Sequence, residues 1–246
     1  FDSAPPDISW RDVVQQVLSA NDLVDATAAV KILVAAGKQK QRRPLGTLLV
    51  TAREYVHRLA HSRTPGLNLA VYPERRLSSL ADHKTLNYLT YKLAGHWAAD
   101  HGADEALILN EDGSVSETNT ANVFCLRAGV VYCPSSAHAL PGITEGAIVR
   151  LLTSWGTAVE RRKLTLDDLK DADFVFVSNS LMGAVPVATL DGCSLPIEGN
   201  LCTRLNVALF GQDFRASGVV PVTLMPPTAL GERVNALTKH PMSSAS

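Results

Sequence analysis

Short apolar stretches recur between Glu105 and Leu190, and each one stops at a turn. Glu105 to Asn110, Val115 to Thr118, Asn122 to Arg127 and Val130 to Cys133 read as strands, as do Ala158 to Lys163, Phe174 to Ser178 and Ala184 to Leu190. Glu111-Asp112-Gly113-Ser114, Ala128-Gly129 and Asp191-Gly192 supply the turns between them. A helix over Thr144 to Trp155, with Ile148, Leu151 and Leu152 inward, interrupts the series before Gly156. Thr165 caps a shorter one over Leu166 to Lys170, whose first turn carries Asp167 and Asp168. Short strands and helices are thus interspersed along this stretch.

The first third is sparser. Asp7 to Asn21 reads as a helix with Ser9 as N-cap and Val13, Val14, Val17 and Leu18 on one face. Ala28 to Ala36 reads as a buried strand, Gly37 to Gly46 as a polar, basic loop, and Leu48 to Tyr55 and Leu67 to Tyr72 as two further strands. Glu74 to Asp82 is irregular. Tyr88 to His101 reads as a helix with Leu89, Leu93, Trp97 and Ala98 on its core side, ending at Gly102. Ser217 to Ser246 reads as a loosely attached tail.

Composition narrows the function classes. The chain has 246 residues, 46% hydrophobic and 19% charged, enough for a real core in one large domain or two small ones. Lys+Arg 23 against Asp+Glu 24 leaves no net basic field to draw nucleic acid or a membrane surface. Cys125, Cys133, Cys193 and Cys202 form no C-x-x-C pair and no cluster with histidine, so no metal site is expected, and reduced thiols fit a cytoplasmic protein. Phe1 to Pro6 is no signal peptide and lacks an initiator Met, so a longer parent is expected.

Chemistry concentrates in four segments taken in order: His83-Lys84-Thr85-Leu86-Asn87-Tyr88, Glu117-Thr118-Asn119-Thr120-Ala121-Asn122-Val123-Phe124, Leu140-Pro141-Gly142-Ile143-Thr144 and Ser178-Asn179-Ser180-Leu181-Met182-Gly183. Each alone has an ordinary structural explanation: a solvated lysine, a strand-edge glutamate, a helix cap, a strand exit. Together they supply what an aldehyde cofactor with a pyridine ring and a phosphate requires. Lys84 is the amine for a Schiff base, which needs its ammonium form disfavoured by burial or neighbouring positive charge. Tyr88 lies one helical turn on, within reach of a phenolic oxygen. A buried Glu117 would keep a pyridine nitrogen protonated. Gly142, Ile143 and Thr144 open a helix whose free N–H groups and dipole favour an anion. Asn179 and Ser180, with Ser178, add amide, hydroxyl and backbone donors.

The order and spacing of HKTLNYL, ETNTANVF, LPGIT and SNSLMGAVPV resemble the class IV, or fold type IV, pyridoxal-phosphate enzymes over about Gly46 to Phe210. The resemblance implies pyridoxal 5'-phosphate as cofactor. Lys84 would carry it, Glu117 would lie on its ring nitrogen and Tyr88 beside its phenolic oxygen. Asn122, Gly142, Ile143, Thr144, Asn179 and Ser180 would complete the cofactor site. It also implies an α/β (α+β) fold in two domains, with a small and incomplete N-terminal α/β domain over residues 1–72. A larger pseudo-barrel cofactor domain would span 73–210, a tail would span 211–246, and the cofactor would lie between the domains. A homodimer acting on a small amino substrate is expected.

Within the family, SNSLMGAVPV looks most like the 4-amino-4-deoxychorismate lyase branch, which releases pyruvate and 4-aminobenzoate on the way to folate. The alternatives are a class IV aminotransferase for D- or branched-chain amino acids and a non-catalytic relative. A dicarboxylate substrate needs cationic partners, for which Arg42, Arg43 and Arg76 are candidates. Nothing in Phe1 to Asn21 resembles the segment with which family members begin. Glu145, one residue past Thr144, is expected to face solvent, because a carboxylate beside a phosphate is unfavourable.

Overall fold

The computed structural model describes residues 7–35, 47–60 and 65–211. These fall into two compact units, one running to Tyr55 and the other starting at Val56.

The first unit holds α1 (Trp10–Ala20) and a hairpin of β1 (Ala28–Ala35) and β2 (Thr47–Glu54). Ser9 caps α1 as the sequence predicts, its hydroxyl accepting from the Asp12 N–H at 3.4 Å. β1 and β2 pair antiparallel from Ala28↔Glu54 to Ala35↔Thr47. The expectation of a buried first strand is corrected here. Within β1 only Ala28 is buried, and Ile32 and Val34 are exposed. The apolar run reports strand propensity, and β2 is the one strand it pairs with among the described residues.

The second unit is a nine-stranded sheet with four helices. In chain order its elements are β3 (Leu67–Val71), α2 (Leu89–Asp100), β4 (Glu105–Leu109), β5 (Val115–Thr118) and β6 (Asn122–Arg127). Then come β7 (Val130–Pro134), α3 (Ile143–Ser154), β8 (Ala158–Arg162), α4 (Leu166–Lys170), β9 (Phe174–Asn179), β10 (Gly183–Leu190), β11 (Cys193–Ser194) and α5 (Gly199–Phe210). The strand order is β5-β4-β3-β10-β9-β6-β7-β8, with β11 beside β10. β3, which the sequence reading places in the N-terminal domain, pairs in parallel with both β4 and β10 in the middle of this sheet.

The sheet curls on itself. Its two ends in pairing order are β5 and β8, yet the Val115 N–H donates to Leu164 O at 2.7 Å, just beyond β8. Alternation then gives two faces. Leu107, Leu109, Val123, Cys125, Val175, Val177, Val185 and Val187 fill the inside of the curl. Phe124, Phe174 and Phe176 turn outward to meet Ile148 and Leu152 of α3 and Cys202 and Leu205 of α5. The Phe124 and Phe176 rings stack 4.5 Å apart. Tyr72, Ala106 and Ile108 meet Ala94 and Ala98 of α2.

Two helices depart from the sequence reading. In α2, Leu89 and Leu93 are exposed; Ala94 takes their place on the sheet side, beside the expected Ala98 and Trp97. Small residues win that face because the helix approaches closely: a Cβ on Gly95 would lie 2.7 Å from Asn119 Nδ2. The sequence reading assigns no helix to Gly199–Phe210. There Asn206 donates to Ala184 O at 2.8 Å and accepts from Ala184 N–H at 2.7 Å, tying α5 to β10.

The short helix α4 is fixed by its cap. Asp168 accepts from the Thr165 N–H and takes two contacts from the Arg162 guanidinium, at 2.9 and 3.2 Å. Arg162 holds the Asp168 carboxyl down at about 2, with Thr165 assisting and burial opposing. The folded value lies below the ordinary one, so this stabilisation is full above about pH 4 and is lost as pH falls towards about 2. Asp168→Asn is expected to cost about 1 kcal/mol at about pH 7 and to cost less at about pH 2. Urea midpoints at the two pH values check this, and an equal cost at both would contradict it.

Candidate functional site

Glu117 organises the site, and a register shift aims it. Ile108 pairs with Glu117, but Leu109 pairs with Val115, so Ser116 is the extra residue of a β-bulge. Val115 shares the interior face with Leu109, whereas Glu117 shares the outer face with Ile108, under α2. Without the bulge Glu117 would follow Val115 into the apolar interior.

On that face the carboxylate is buried, at 4% exposure, and well supplied with donors. Arg76 Nη1 lies 2.6 Å from Oε1, and the Tyr91 hydroxyl donates to the same oxygen. The Leu140 N–H donates to Oε2 at 3.0 Å. Burial pushes the Glu117 pKa up; the Tyr91 hydroxyl, the Leu140 N–H and Arg76 pull against it. A carboxylate accepts about four hydrogen bonds, so one position, on Oε2, is left for a further donor.

Lys84 joins this group from the loop before α2. Its Nζ donates to Tyr88 Oη at 3.1 Å, and the Tyr88 and Tyr91 rings lie 5.2 Å apart. Lys84, Tyr88, Tyr91, Glu117 and Arg76 therefore form one connected chain. Lys84 is exposed rather than buried, in contrast to the expectation for a Schiff-base lysine.

The other predicted residues are reached through Leu140. Its carbonyl accepts from Asn122 Nδ2 at 2.8 Å. A Cβ on Gly142 would lie 2.1 Å from Asn122 Oδ1, so a larger residue there would have to displace the Asn122 side chain. Gly142, not Thr144, is the N-cap of α3. Thr144, the second residue of α3, is buried, and Ile143 is 89% exposed. Asn179 accepts from the Leu181 and Met182 N–H groups at 3.0 and 2.9 Å and donates to Thr120 O at 3.2 Å, clamping one predicted turn against another. Ser180 is exposed. Ser178 Oγ is fully buried and has no hydrogen-bond partner among the described residues.

Some expectations change. Glu145 does not face solvent: it is 5% exposed, paired with Arg161 at 2.8 Å and accepting from the Gly142 N–H at 3.3 Å. Arg161 neutralises the carboxylate, which removes the repulsion that the sequence argument relies on. Arg76, a candidate for the substrate, is engaged by Glu117. Arg42 and Arg43 lie outside the described residues. The sequence reading does not reach Tyr91 or the Leu140 N–H. Tyr91 sits three residues past Tyr88 on one helix face, the single sequence signal that could mark it.

A profile of the amino-transferase class IV family matches residues 3–190. The chain belongs to that family. The Escherichia coli (strain K12) branched-chain-amino-acid aminotransferase is 35% identical over 128 residues, covering 51% of this chain and 41% of that enzyme. This chain thus matches about two-fifths of that relative's length. A putative 4-amino-4-deoxychorismate lyase of Legionella pneumophila superposes with TM-score 0.71 and 27% identity, over 85% of this chain and 79% of that one. A branched-chain amino acid aminotransferase of T.th., solved with pyridoxamine 5'-phosphate, gives TM-score 0.68 and 26% identity over 81% of this chain and 69% of that one.

Class IV enzymes use pyridoxal phosphate, and the residues present fit it. The open acceptor position on Glu117 suits a ring N–H. The start of α3 offers a phosphate the Ile143 and Thr144 backbone N–H groups, which the helix's own ladder does not use. The orphaned Ser178 hydroxyl is one more polar group without a partner. Among the described residues no group of side chains is arranged to hold a metal, and no helix is long and apolar enough to cross a membrane.

Proposed function

We propose that this chain belongs to a pyridoxal-phosphate aminotransferase acting on small amino acids, with branched-chain amino acids the first class to test. The observation that carries this is the connected chain from Lys84 through Tyr88 and Tyr91 to a buried Glu117 with one acceptor position open. The branched-chain enzymes among the relatives support the choice of substrate. The cofactor, when bound, supplies an electron-accepting ring whose strength depends on a protonated ring nitrogen. Glu117 Oε2 would accept from that nitrogen. Tyr88 would hold the phenolic oxygen. The backbone N–H groups of Ile143 and Thr144 would take the phosphate, with Gly142 turning the chain in front of them and Asn179 and Ser180 completing the site. Lys84 Nζ would remove and return the substrate's Cα proton as base and then acid. The working form in this reading is a cytoplasmic homodimer, in which the exposed Leu86, Leu89 and Leu93 near Lys84 are the apolar surface to be covered.

A second reading, 4-amino-4-deoxychorismate lyase, rests on SNSLMGAVPV and on the likeness to the Legionella protein. The two differ in what they consume. A transaminase needs a keto-acid acceptor, and a lyase releases pyruvate without one. The test loads the protein with pyridoxal phosphate and offers leucine, isoleucine, valine or D-alanine with a keto acid, and aminodeoxychorismate without one. Amino transfer from a branched-chain substrate is expected. Pyruvate release without acceptor would replace this reading by the second, and a protein that takes up no cofactor would end both.

A further inference from the structure

We propose that Tyr91, acting with Arg76, is a positioning residue for Glu117: the two side chains hold Oε1 so that Oε2 is turned to the cofactor as an acceptor. This rests on the cofactor reading above and adds a residue that the four motif segments do not contain.

The geometry is specific. Oε1 receives both the Tyr91 hydroxyl and Arg76 Nη1, while Oε2 receives only the Leu140 N–H. The two donors on Oε1 also hold each other, because the Arg76 guanidinium carbon lies 4.4 Å from the Tyr91 ring centroid. Both ionic side chains are nearly out of water, at 9% exposure for Arg76 and 5% for Glu117. A carboxylate in such a place rotates or takes up a proton unless its oxygens are fixed. A protonated Glu117 would donate where the ring nitrogen needs an acceptor, and the ring would lose its proton. Burial favours that neutral form, and the Tyr91 hydroxyl is foremost among the groups opposing it. The phenol is a dependable donor: burial and the Glu117 charge hold its pKa far above the usual range, so it keeps its proton. Tyr91 comes from α2, the helix that follows Lys84. The contact to the lysine through Tyr88 and the contact to the carboxylate through Tyr91 are therefore carried at the start of one helix.

Tyr91→Phe keeps the ring that packs on Tyr88 and Arg76 and removes only the hydroxyl. Apoprotein is titrated with pyridoxal phosphate labelled with ¹⁵N in the ring, and affinity and ring-nitrogen shift are read together in Tyr91→Phe, Glu117→Gln and the double variant. Tyr91→Phe is expected to weaken affinity about five- to tenfold and to move the shift towards unprotonated nitrogen. In the Glu117→Gln background the same change should have almost no effect, because the carboxylate it positions is gone. A merely structural tyrosine would weaken binding equally in both backgrounds, which would overturn the proposal. So would wild-type affinity and shift in Tyr91→Phe. A wild-type protein that takes up no cofactor would overturn the cofactor reading and this one together.

Discussion

Lys84→Ala should leave the fold intact and abolish turnover. Lys84 is exposed, and its one side-chain hydrogen bond goes to Tyr88. Loss of such a surface side chain changes stability by no more than about 0.5 kcal/mol. Chemistry should respond very differently. In the proposed function the Lys84 amine would carry the cofactor and would then serve as the base that moves the substrate proton. Removing a positioned acid–base group costs on the order of 10²–10⁴ in rate, and with both duties proposed for Lys84 the upper end is expected. Lys84→Arg separates charge from proton transfer. It keeps the cation beside Tyr88, but a guanidinium cannot give up its proton at working pH, so it should be as inactive as alanine. Borohydride reduction of the loaded protein followed by mass analysis of its peptides reads the attachment directly. The label should sit on Lys84 and disappear in both variants. A label that persists on another lysine would remove Lys84 from the role, and with it the reading of the HKTLNY segment.

That segment illustrates what sequence order discloses. A lysine, a carboxylate and two small-residue turns can be read from the chain, as can the strands that carry them, because alternation and apolar runs are local signals. The aim of Glu117 is not local. It depends on whether Ser116 is counted into the ladder with β4, and nothing in Val115-Ser116-Glu117 distinguishes a bulge from a regular strand. Tyr91 is invisible for a similar reason, since its partner lies 26 positions along the chain. The face of α2 is misleading in the sequence because hydrophobicity favours leucine over alanine, whereas the spacing between α2 and β4 favours the smaller residue. Glu145 misleads because its compensating charge, Arg161, arrives from β8. The curled sheet itself follows from the family likeness and not from any single strand. Its closure rests on long-range contacts such as Val115 to Leu164.

Glu105→Ala should be the most destabilising polar substitution near the site. Glu105 begins β4 and is completely buried, an expensive place for a carboxylate. Its oxygens accept from Arg58, Thr118 Oγ1 and Thr120 Oγ1. Thr118 Oγ1 in turn accepts from the N–H groups of Thr120 and Ala121, at 3.2 and 2.8 Å. The buried charge thus holds the turn that joins Glu117 to Asn122, and Asn179 grips the same turn at Thr120 O. Removing one member of a buried ion pair costs about 3–5 kcal/mol. Arg58, at 39% side-chain exposure, can recover some hydration, so the lower end, about 3 kcal/mol, is expected here. For a chain of this size that corresponds to a fall in Tm of roughly 6–12 °C. Thr118→Val, which keeps the shape and removes the hydroxyl, should cost about 1–2 kcal/mol. The two losses should not add, because both cut the same network. Differential scanning calorimetry of the two single variants and the double variant measures all three quantities. A cost below about 0.5 kcal/mol for Glu105→Ala, the size of an ordinary surface change, would mean that the turn is held by its backbone alone. Glu117 and Asn122 would then owe their positions to the sheet rather than to the carboxylate beneath them.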